Sequence, residues 1–392
     1  KTKLTLLSSA FITSLVSTAP SAKDALEFTD VFNFKSAKGT QLSEDGRILS
    51  LSATPYRGNA TGQVYSLTNN SLISEVERGT KPLINKAANW VAFTQVPTLL
   101  EKETTKKKNT LKNNLVLVNT ETGEQKRFEN VKDYALSNDG VWLAYRLDKK
   151  ADKTDNVEKN TKDESEDEDN SAISPDKKDK VYSLVIVNLK NQQSETIDNV
   201  FSYSISATND QLLLSQSYPD GNDNQIKLIT LTTFKSEVLI DEPGVVANKI
   251  AWHPIEATVA FTLGNYVNED TRRRNHSLQL WKNEALSTIE STNKEWTIGK
   301  TAKLSWSENG ERLYFENRPK LAAKVKAKEF VDETSLYDIA TIRDQKGLDV
   351  WHNKDPEIKP REKQQWNAVN KHLHYEAVYH VNSQKVVQLS TP

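Results

Sequence analysis

The sequence predicts an all-β protein, a β-propeller with blades of about 40–50 residues. Three observations support this prediction: a turn and a following strand recur along the chain, a second pair of strands follows each copy, and the copies are regularly spaced. Counted from the Ser position, the copies begin at residues 43, 85, 137, 206, 253 and 307, so four of the five intervals measure 42–54 residues. We expect six or more blades, in a ring that is incomplete.

The recurring turn is clearest in three stretches, LSEDGRILSLS (42–52), LSNDGVWLAYR (136–146) and WSENGERLYFE (306–316). Asp-Gly and Asn-Gly favour tight turns because both residues tolerate positive φ angles. The residues after each turn alternate between apolar and polar, which places one face of a strand in a core. Weaker copies occupy residues 85–95, 206–216 and 253–263.

A further strand pair with a short polar turn follows each copy, as in NNLVLVNTETGEQKRF (113–128) and YSLVIVNLKNQQSETI (182–197). One small sheet cannot bury both of its faces alone, whereas sheets stacked around an axis can. The alternative is a β-sandwich whose turns coincide by chance. Agreement of the units in strand pattern and order favours the propeller.

The longest interval contains a charged insertion at residues 148–180, with twelve acids, eight bases and almost no apolar residue. Such a segment cannot bury enough surface to offset its conformational entropy, so we expect a disordered and dispensable loop at a blade edge. Calcium binding through Asp163, Ser165, Asp167 and Asp169 is the sharper alternative. It is disfavoured because the EF-hand pattern requires Gly and Glu where this chain has Glu168 and Ser174.

A second insertion, at residues 318–372, is predicted to be helical or irregular, with a short helix near 322–345. Its stretch GLDVWHNKDPEIKPREKQQW (347–366) fits neither a strand nor a helix throughout. Trp351 and Trp366 are interpreted as packing anchors rather than substrate contacts, since buried aromatic side chains chiefly supply apolar area.

The N-terminus has the pattern of a secretory signal peptide at residues 1–22. Lys1 and Lys3 precede a mildly apolar run that is too short to cross a bilayer, and small residues follow up to Ala22. Residues 23–392 are then an exported propeller domain, periplasmic or extracellular, without a membrane span. The alternative is an amphipathic N-terminal helix.

No self-contained catalytic motif is present. The patterns G-x-S-x-G, G-x-x-x-x-G-K-[ST] and H-E-x-x-H do not occur. The 392 residues include no cysteine, which excludes disulfides, a thiol nucleophile and cysteine metal sites. The formal net charge of -1 gives no reason to expect nucleic acid or an anionic membrane as partner. We therefore predict no catalytic residue, metal site or cofactor.

Histidines and one arginine run were considered as site candidates. His253 lies at a repeat turn and is interpreted as structural, and His276 is placed in a loop. His352, His372 and His374 lie in the late insertion; His372 and His374 could bind a metal only from one face of a strand, so a structural role is favoured. The run at residues 272–274 could pair with a carboxylate of a peptide or of another domain, although a solvated loop is favoured.

Two segments carry a family resemblance. FTDVFNFKSAKGTQLSEDGRILSLS (28–52), followed by propeller repeats and a late LDVWHNKDPEIKP (348–360), resembles the N-terminal half of exported serine peptidases of the prolyl oligopeptidase family, S9. In that family a segment similar to D-V-W-x-x-x-D-P follows a helical insertion. Here Asp349, Val350, Trp351, Asp355 and Pro356 match it.

The resemblance implies a propeller followed by an α/β-hydrolase domain that carries a Ser, Asp and His triad. That domain is absent from this chain, so the implied role is non-catalytic: the propeller admits short peptides to the hydrolase domain and excludes folded proteins. The D-W-x-Y-E-E pattern of dipeptidyl peptidases is missing, which leaves exopeptidase specificity unsupported. The alternative is a stand-alone periplasmic propeller that binds proteins and resembles TolB.

Overall fold

The computed structural model describes residues 26–107, 110–148, 179–268, 273–319, 330–346, 352–354, 358, 360–362, 364 and 374–391. These residues form antiparallel strands with few helices. The strands are β1 (Lys35–Leu42), β2 (Ile48–Pro55), β3 (Thr61–Ser66), β4 (Ser71–Glu77), β5 (Gly79–Ile84), β6 (Trp90–Gln95), β7 (Asn114–Asn119), β8 (Gln125–Phe128), β9 (Val131–Leu136), β10 (Trp142–Leu147), β11 (Tyr182–Asn188), β12 (Ser194–Ile205), β13 (Gln211–Gln216), β14 (Gln225–Thr230), β15 (Lys235–Asp241), β16 (Val246–Trp252), β17 (Val259–Asn268), β18 (Arg273–Lys282), β19 (Ala285–Ile289), β20 (Trp296–Ile298), β21 (Leu304–Trp306), β22 (Arg312–Pro319), β23 (Tyr375–His380) and β24 (Lys385–Gln388). Helices include α1 (Leu99–Thr104) and α2 (Ile339–Lys346), with 3-10 turns at Phe28–Asn33 and Ser335–Tyr337, and residues 360–362 and 364 are also helical.

Successive strands pair with their neighbours and form six propeller blades. Blade 1 is β1–β4, blade 2 is β5–β8 and blade 5 is β16–β19, each a four-stranded meander. In blade 6, β20 and β21 share the first position and β22–β24 follow. Blades 3 and 4 share the long strand β12, which pairs with β11 through its first part and with β13 through its second, so β9–β15 form one seven-stranded sheet. The predicted propeller class is confirmed.

The recurring turn has one backbone geometry in all six blades. The first residue of each copy donates its N–H to the carbonyl of the residue five positions later; these donors are Ser43, Asn85, Ser137, Ser206, His253 and Ser307. In five blades the later residue donates back to the side-chain oxygen of the first, which closes the turn from both directions. At His253 the ring Nδ1 instead accepts from the N–H groups of Ile255 and Glu256. The six positions found by sequence comparison are therefore equivalent in the fold.

The apolar core lies between blades. Five hydrophobic clusters occupy the junctions between consecutive blades, from blade 1 against blade 2 to blade 5 against blade 6. Phe93 and Phe261, both fully buried, fill two of them. Among the described residues no such cluster joins blade 6 to blade 1, and β1 is exposed along almost its whole length. The ring therefore has one open seam, between its last and first blades.

Side chains near the turns join each blade to its neighbour. Trp90 Nε1 donates to the Gly140 carbonyl across the junction of blades 2 and 3. Trp252 Nε1 reaches the Ser204 carbonyl of blade 4, and His253 Nε2 lies 3.1 Å from the Gly310 carbonyl of blade 6. His253 thus lies at a repeat turn, as predicted, and its ring joins blade 5 to blade 6. The carbonyls of Gly140 and Gly310 belong to recurring turns, so these bonds give polar turn groups a partner in the neighbouring blade.

The structure adds two helical elements and corrects one boundary. α1 and the 3-10 turn Phe28–Asn33 are helical elements that the sequence analysis missed. Arg318 and Pro319 belong to β22, so the late insertion begins after them rather than at residue 318. The expected helix near 322–345 is found as α2, at the C-terminal end of that range; residues 320–329 lie outside the described residues. Residues 1–22, where a signal peptide was predicted, and residues 149–178 also lie outside the described residues.

Two glycines in the same turn position allow a matched test of the contact between blades. Gly46 and Gly140 have φ angles of 72° and 70°, but a Cβ on Gly46 would meet nothing within 4 Å. A Cβ on Gly140 would lie 2.2 Å from Asn89 Oδ1 and 2.8 Å from the Trp90 ring. Gly46→Ala should lower the free energy of unfolding by about 1 kcal/mol through backbone strain alone. Gly140→Ala should lower it by about 3 kcal/mol, because the hydrogen bonds of Asn89 and Trp90 are also disturbed. Urea denaturation measures both; equal losses would contradict a role of this contact in joining blades 2 and 3.

Candidate functional site at one end of the propeller

All long connections leave the propeller at one end. In blade 1, the start of β1 pairs with the end of β2, and the start of β3 pairs with the end of β4. The connections between second and third strands therefore lie at the same end as the entry and exit of each blade. Those connections include residues 96–113, 148–181 and 320–374. We call this the insertion end, and the opposite end, which carries the recurring turns, the repeat-turn end.

Large apolar side chains are exposed in two segments: the chain entry before and beside blade 1, and the connection that leaves β22 at the insertion end. Phe28 and Val331 are each 82% exposed. Phe28 belongs to a group of exposed apolar residues around the chain entry. Val331 belongs to a second group, in the connection from β22 to β23. We call the two groups together the cap surface; its members are Leu26, Phe28, Val31, Phe34, Tyr56, Phe330, Val331, Leu336, Tyr337 and Ile339. Exposed groups of large apolar side chains such as these typically mark interaction sites.

The entry segment is held rigidly against blade 1. Phe28 and Phe32 form an edge-to-face contact with ring centroids 6.0 Å apart, and Phe32 stacks on Tyr56 at 6.3 Å. The N–H groups of Tyr56 and Arg57 donate to the carbonyls of Phe34 and Phe32. The cap surface therefore presents ordered aromatic rings rather than a loose tail.

A buried ion pair joins the last part of the charged insertion to blade 5. Arg274 donates to both carboxylate oxygens of Asp179, at 2.9 and 2.7 Å, and the side chains are only 11% and 14% exposed. Ser217 Oγ donates to Asp179, while Arg274 Nε donates to the Gly244 carbonyl. The guanidinium also lies 4.7 Å from the centre of the Tyr266 ring. Bidentate geometry and full hydrogen bonding are what allow such a pair to be buried.

This pair corrects two sequence interpretations. Arg274 was expected in a solvated loop and His276 in a loop, but both lie in β18 and both are at least half-buried. Asp179 was placed within a disordered segment, yet it packs between blades 4 and 5. At the other edge of the insertion, Asp148 pairs with Lys112 at 2.8 Å. Disorder of residues 149–178 stays a prediction.

Burial and charge set the protonation of this region. Burial alone would raise the pKa of Asp179, but the hydrogen bonds and charge of Arg274, helped by Ser217, outweigh it and bring the pKa below its ordinary value of 3.8. Burial lowers the pKa of His276 to about 4, and the nearby charges of Lys300, Arg274 and Arg318 act in the same direction. At neutral pH the pair is fully ionised and His276 is neutral.

A second arginine fastens blade 3 to blade 4. Arg146 binds both carboxylate oxygens of Asp133 and donates to the Phe201 carbonyl of blade 4. Tyr203 of blade 4 donates to Asp133, and the Arg146 guanidinium lies 5.7 Å from its ring centre. Burial, reinforced by Asp133, raises the pKa of Tyr203 well above its ordinary value, so the phenol stays protonated and keeps donating.

Other candidate residues give no site within the described part of the chain. Asp163, Ser165, Asp167 and Asp169 lie outside it, as do His372, Trp351 and Trp366 and the Asp349, Val350, Asp355 and Pro356 positions. His352 is exposed and His374 lies against Gly299. In the described ranges, no group of three acidic or histidine side chains is arranged to hold a metal. Nor does any helix there have the length and apolar character to span a bilayer.

The sequence analysis missed a repeated lysine. In five of the six blades, an exposed lysine lies in or beside the first strand, four or five residues before the first residue of the recurring turn. These lysines are Lys38, Lys81, Lys132, Lys249 and Lys303. The stretches SAKGTQLS, GTKPLIN, NVKDYALS, ANKIAWH and TAKLSWS show the signal once they are aligned on the turn. It was overlooked because the comparison began at the turn and ran forward.

Comparison with known proteins adds structural neighbours only. The chain matches no protein-family model and no curated protein sequence. Its structure is similar to that of a prolyl endopeptidase, at 9% identity and a TM-score of 0.46, covering 91% of this chain and 42% of that one. It is also similar to the β-propeller domain of the Trilobed protease from Pyrococcus furiosus (12% identity, TM-score 0.41, 73% of this chain and 78% of that one) and to an acylaminoacyl peptidase from Pyrococcus horikoshii (13%, 0.41, 72% and 43%). This chain thus spans less than half the length of the prolyl endopeptidase and of the acylaminoacyl peptidase.

The buried ion pair can be tested by removing its acid. Asp179→Asn should lower the free energy of unfolding by about 3 kcal/mol at pH 7, because Arg274 stays buried without a counter-charge. The pKa of Asp179 in the folded protein lies below 3.8. The stabilisation that its ionised carboxylate gives the fold is therefore complete above pH 3.8 and is lost as the pH falls through the folded pKa. The thermal midpoints of wild type and variant should therefore converge as the pH falls below 3.8. Glu256→Gln removes the exposed pair with Lys282 and should cost less than about 0.5 kcal/mol; a similar loss in both variants would contradict a special role of Asp179.

Proposed function

We propose that this chain is the non-catalytic propeller of an exported serine peptidase of the prolyl oligopeptidase family. In this proposal the propeller gates the access of peptides to a hydrolase domain. The observation that carries it is the cap surface, whose entry segment lies against blade 1 at the insertion end and whose second segment belongs to the connection that leaves β22 at that end. A domain joined to either side is held beside that surface at high effective concentration. The resemblance of residues 28–52 and 348–360 to this family supports the same assignment.

Gating follows from the shape of a propeller. Six blades around an axis leave a narrow passage, which an extended peptide can enter and a folded protein cannot. The ion pairs of Arg146 and Arg274 fasten blades 3, 4 and 5 together at the insertion end, so this part of the gate is rigid. Exclusion by a rigid wall needs no chemistry of its own, in keeping with the lack of a catalytic motif in the sequence.

Purified residues 23–392 should hydrolyse no peptide or ester. A serine peptidase needs a nucleophile at a sharp turn, a histidine within hydrogen-bond reach, an acid that orients it and an oxyanion hole. The sequence has no G-x-S-x-G turn that would present such a serine. A fluorophosphonate probe should therefore label none of its serines, and stoichiometric labelling of any serine would overturn the non-catalytic assignment.

The cap surface can be tested in the enzyme that contains this propeller. Val331→Asp with Ile339→Asp should weaken the contact between domains, because two charges would have to be buried against an apolar partner surface. Cleavage of a large unfolded protein should then rise at least about threefold relative to that of a short peptide, since a loss of about 0.7 kcal/mol in domain contact shifts the closed state by that factor. Ile255→Asp, at a 64% exposed residue of the repeat-turn end, is the matched control and should leave the ratio unchanged.

Two results would count against the proposal. An unchanged ratio in the double variant would show that the cap surface does not face the hydrolase domain. A gene that encodes this propeller without any hydrolase domain would favour the stand-alone binding module instead.

A further inference from the structure

The innermost strands of the propeller carry lysines but almost no acids. The first strand of each sheet lies against the first strand of the next one, as β1 against β5 and β12 against β16, so these strands surround the axis. The fourth strands form the outer rim of the blades. An exposed residue on a first strand therefore belongs to the axial side of its blade or, in β1, lies beside the open seam.

The five exposed lysines lie at one level along the axis. Each sits at or beside an irregularity of the first strand: residues 39–40 in β1, 81–82 in β5, 132 in β9, 248–249 in β16 and 299–303 between β20 and β21. Residues of the second strand that lie opposite these lysines are also equivalent between blades, because they follow the first residue of the turn by the same number of positions. Ser52 pairs with Lys38, Thr262 Oγ1 accepts from the Lys249 N–H, and Glu316 accepts from the Lys303 N–H; each of these lies nine residues after its turn residue.

The backbone fixes these lysines in place. An irregularity adds an unpaired residue to the strand and re-aims the side chain there. Lys81 has a φ of 50°, a conformation that side-chain-bearing residues rarely adopt. In blade 4 the corresponding position is Ser202, whose hydroxyl is used in a bond to the Ala247 carbonyl. Five of the six blades thus place a lysine at this position, and blade 4 does not.

Few negative charges compensate this ring. When β12 is counted only over residues 200–205, the part that belongs to blade 4, Asp133 is the only acidic residue in the described first strands, and it is bound to Arg146. Lys303 Nζ lies 3.7 Å from Glu316, and Lys132 Nζ lies 6.0 Å from the Tyr182 ring centre, contacts that leave both ammonium groups in reach of solvent. The whole chain has a formal net charge of -1, so the positive character is local to the axis.

We propose that Lys38, Lys81, Lys132, Lys249 and Lys303 form an axial lysine ring that binds extended peptides rich in carboxylates. A cationic ring at a narrow opening concentrates anions and repels cations. An extended peptide places a side chain every 3.3 Å or so, which lets several carboxylates meet the ring in succession. The peptide nature of the ligand rests on the proposed function; the preference for acidic peptides goes beyond it.

The test measures binding directly on residues 23–392. The probe is a fluorescein-labelled peptide of about ten glutamates, roughly 33 Å long when extended, with a glutamine peptide of equal length as the uncharged reference. The ring variant is Lys81→Gln with Lys249→Gln and Lys303→Gln. The matched control replaces three exposed lysines away from the axis: Lys190→Gln, Lys235→Gln and Lys385→Gln. Circular dichroism and thermal midpoints confirm that both variants are folded.

The glutamate peptide should bind more tightly than the glutamine peptide, and its affinity should fall as salt rises. The ring variant should lose about tenfold in affinity, roughly a factor of two per exposed lysine–carboxylate pair, whereas the control should lose less than about twofold. Equal losses in both variants, or no preference for glutamate, would overturn the proposal. Equally tight and equally lysine-dependent binding of an oligothymidylate of the same charge would overturn the assignment to peptides. Because no catalytic domain takes part, failure here leaves the gating test with Val331 and Ile339 unaffected.

Discussion

A four-stranded blade has two apolar faces and cannot bury either by itself, and the rest of this structure depends on that constraint. Each of the five hydrophobic clusters is assembled from two blades, so no blade contains its own core. The tryptophan and histidine bonds between turns, and the arginine ion pairs at the insertion end, are placed at the two edges of these shared cores. They hold the blades in register where water would otherwise enter. At the open seam the same constraint is unmet, which leaves β1 exposed.

The parts of the fold that could be predicted from the sequence are those whose contacts join residues a few positions apart. Ser137 and Asp139 lie two residues apart and bond each other directly, so their type and spacing are visible in the sequence. α1 was predictable in principle: Thr98 and Glu101 form a capping box, a T-x-x-E pattern that was passed over because the surrounding residues are highly charged. The sequence analysis expected an incomplete ring of blades. It did not predict that the open seam would lie beside blade 1.

The candidate site was less predictable because its contacts join distant residues. Asp179 and Arg274 are 95 positions apart, and each sits in a stretch of charged residues whose composition indicates solvent exposure. The strand β18 begins inside such a stretch, so Arg274 is buried by tertiary structure against its local context. The exposed apolar residues at 330–339 were equally hidden, since an apolar residue in a short irregular segment has no periodicity that would tell whether it faces a core or solvent. The lysine ring lies between these cases, visible as a repeat but interpretable only once the innermost strands were known.

The shared strand β12 has a consequence for how such a protein can change over generations. Repeat proteins grow and shrink by duplicating or losing whole units, and the breakpoints must fall where a unit can be removed without severing a strand. Between blades 4 and 5, and between blades 5 and 6, short connections at residues 242–245 and 290–295 offer such breakpoints. Between blades 3 and 4 there is none, because residue 200 pairs with both flanking strands. We therefore expect blades 3 and 4 to be inherited as a pair, and a relative with a different number of blades to differ elsewhere in the ring.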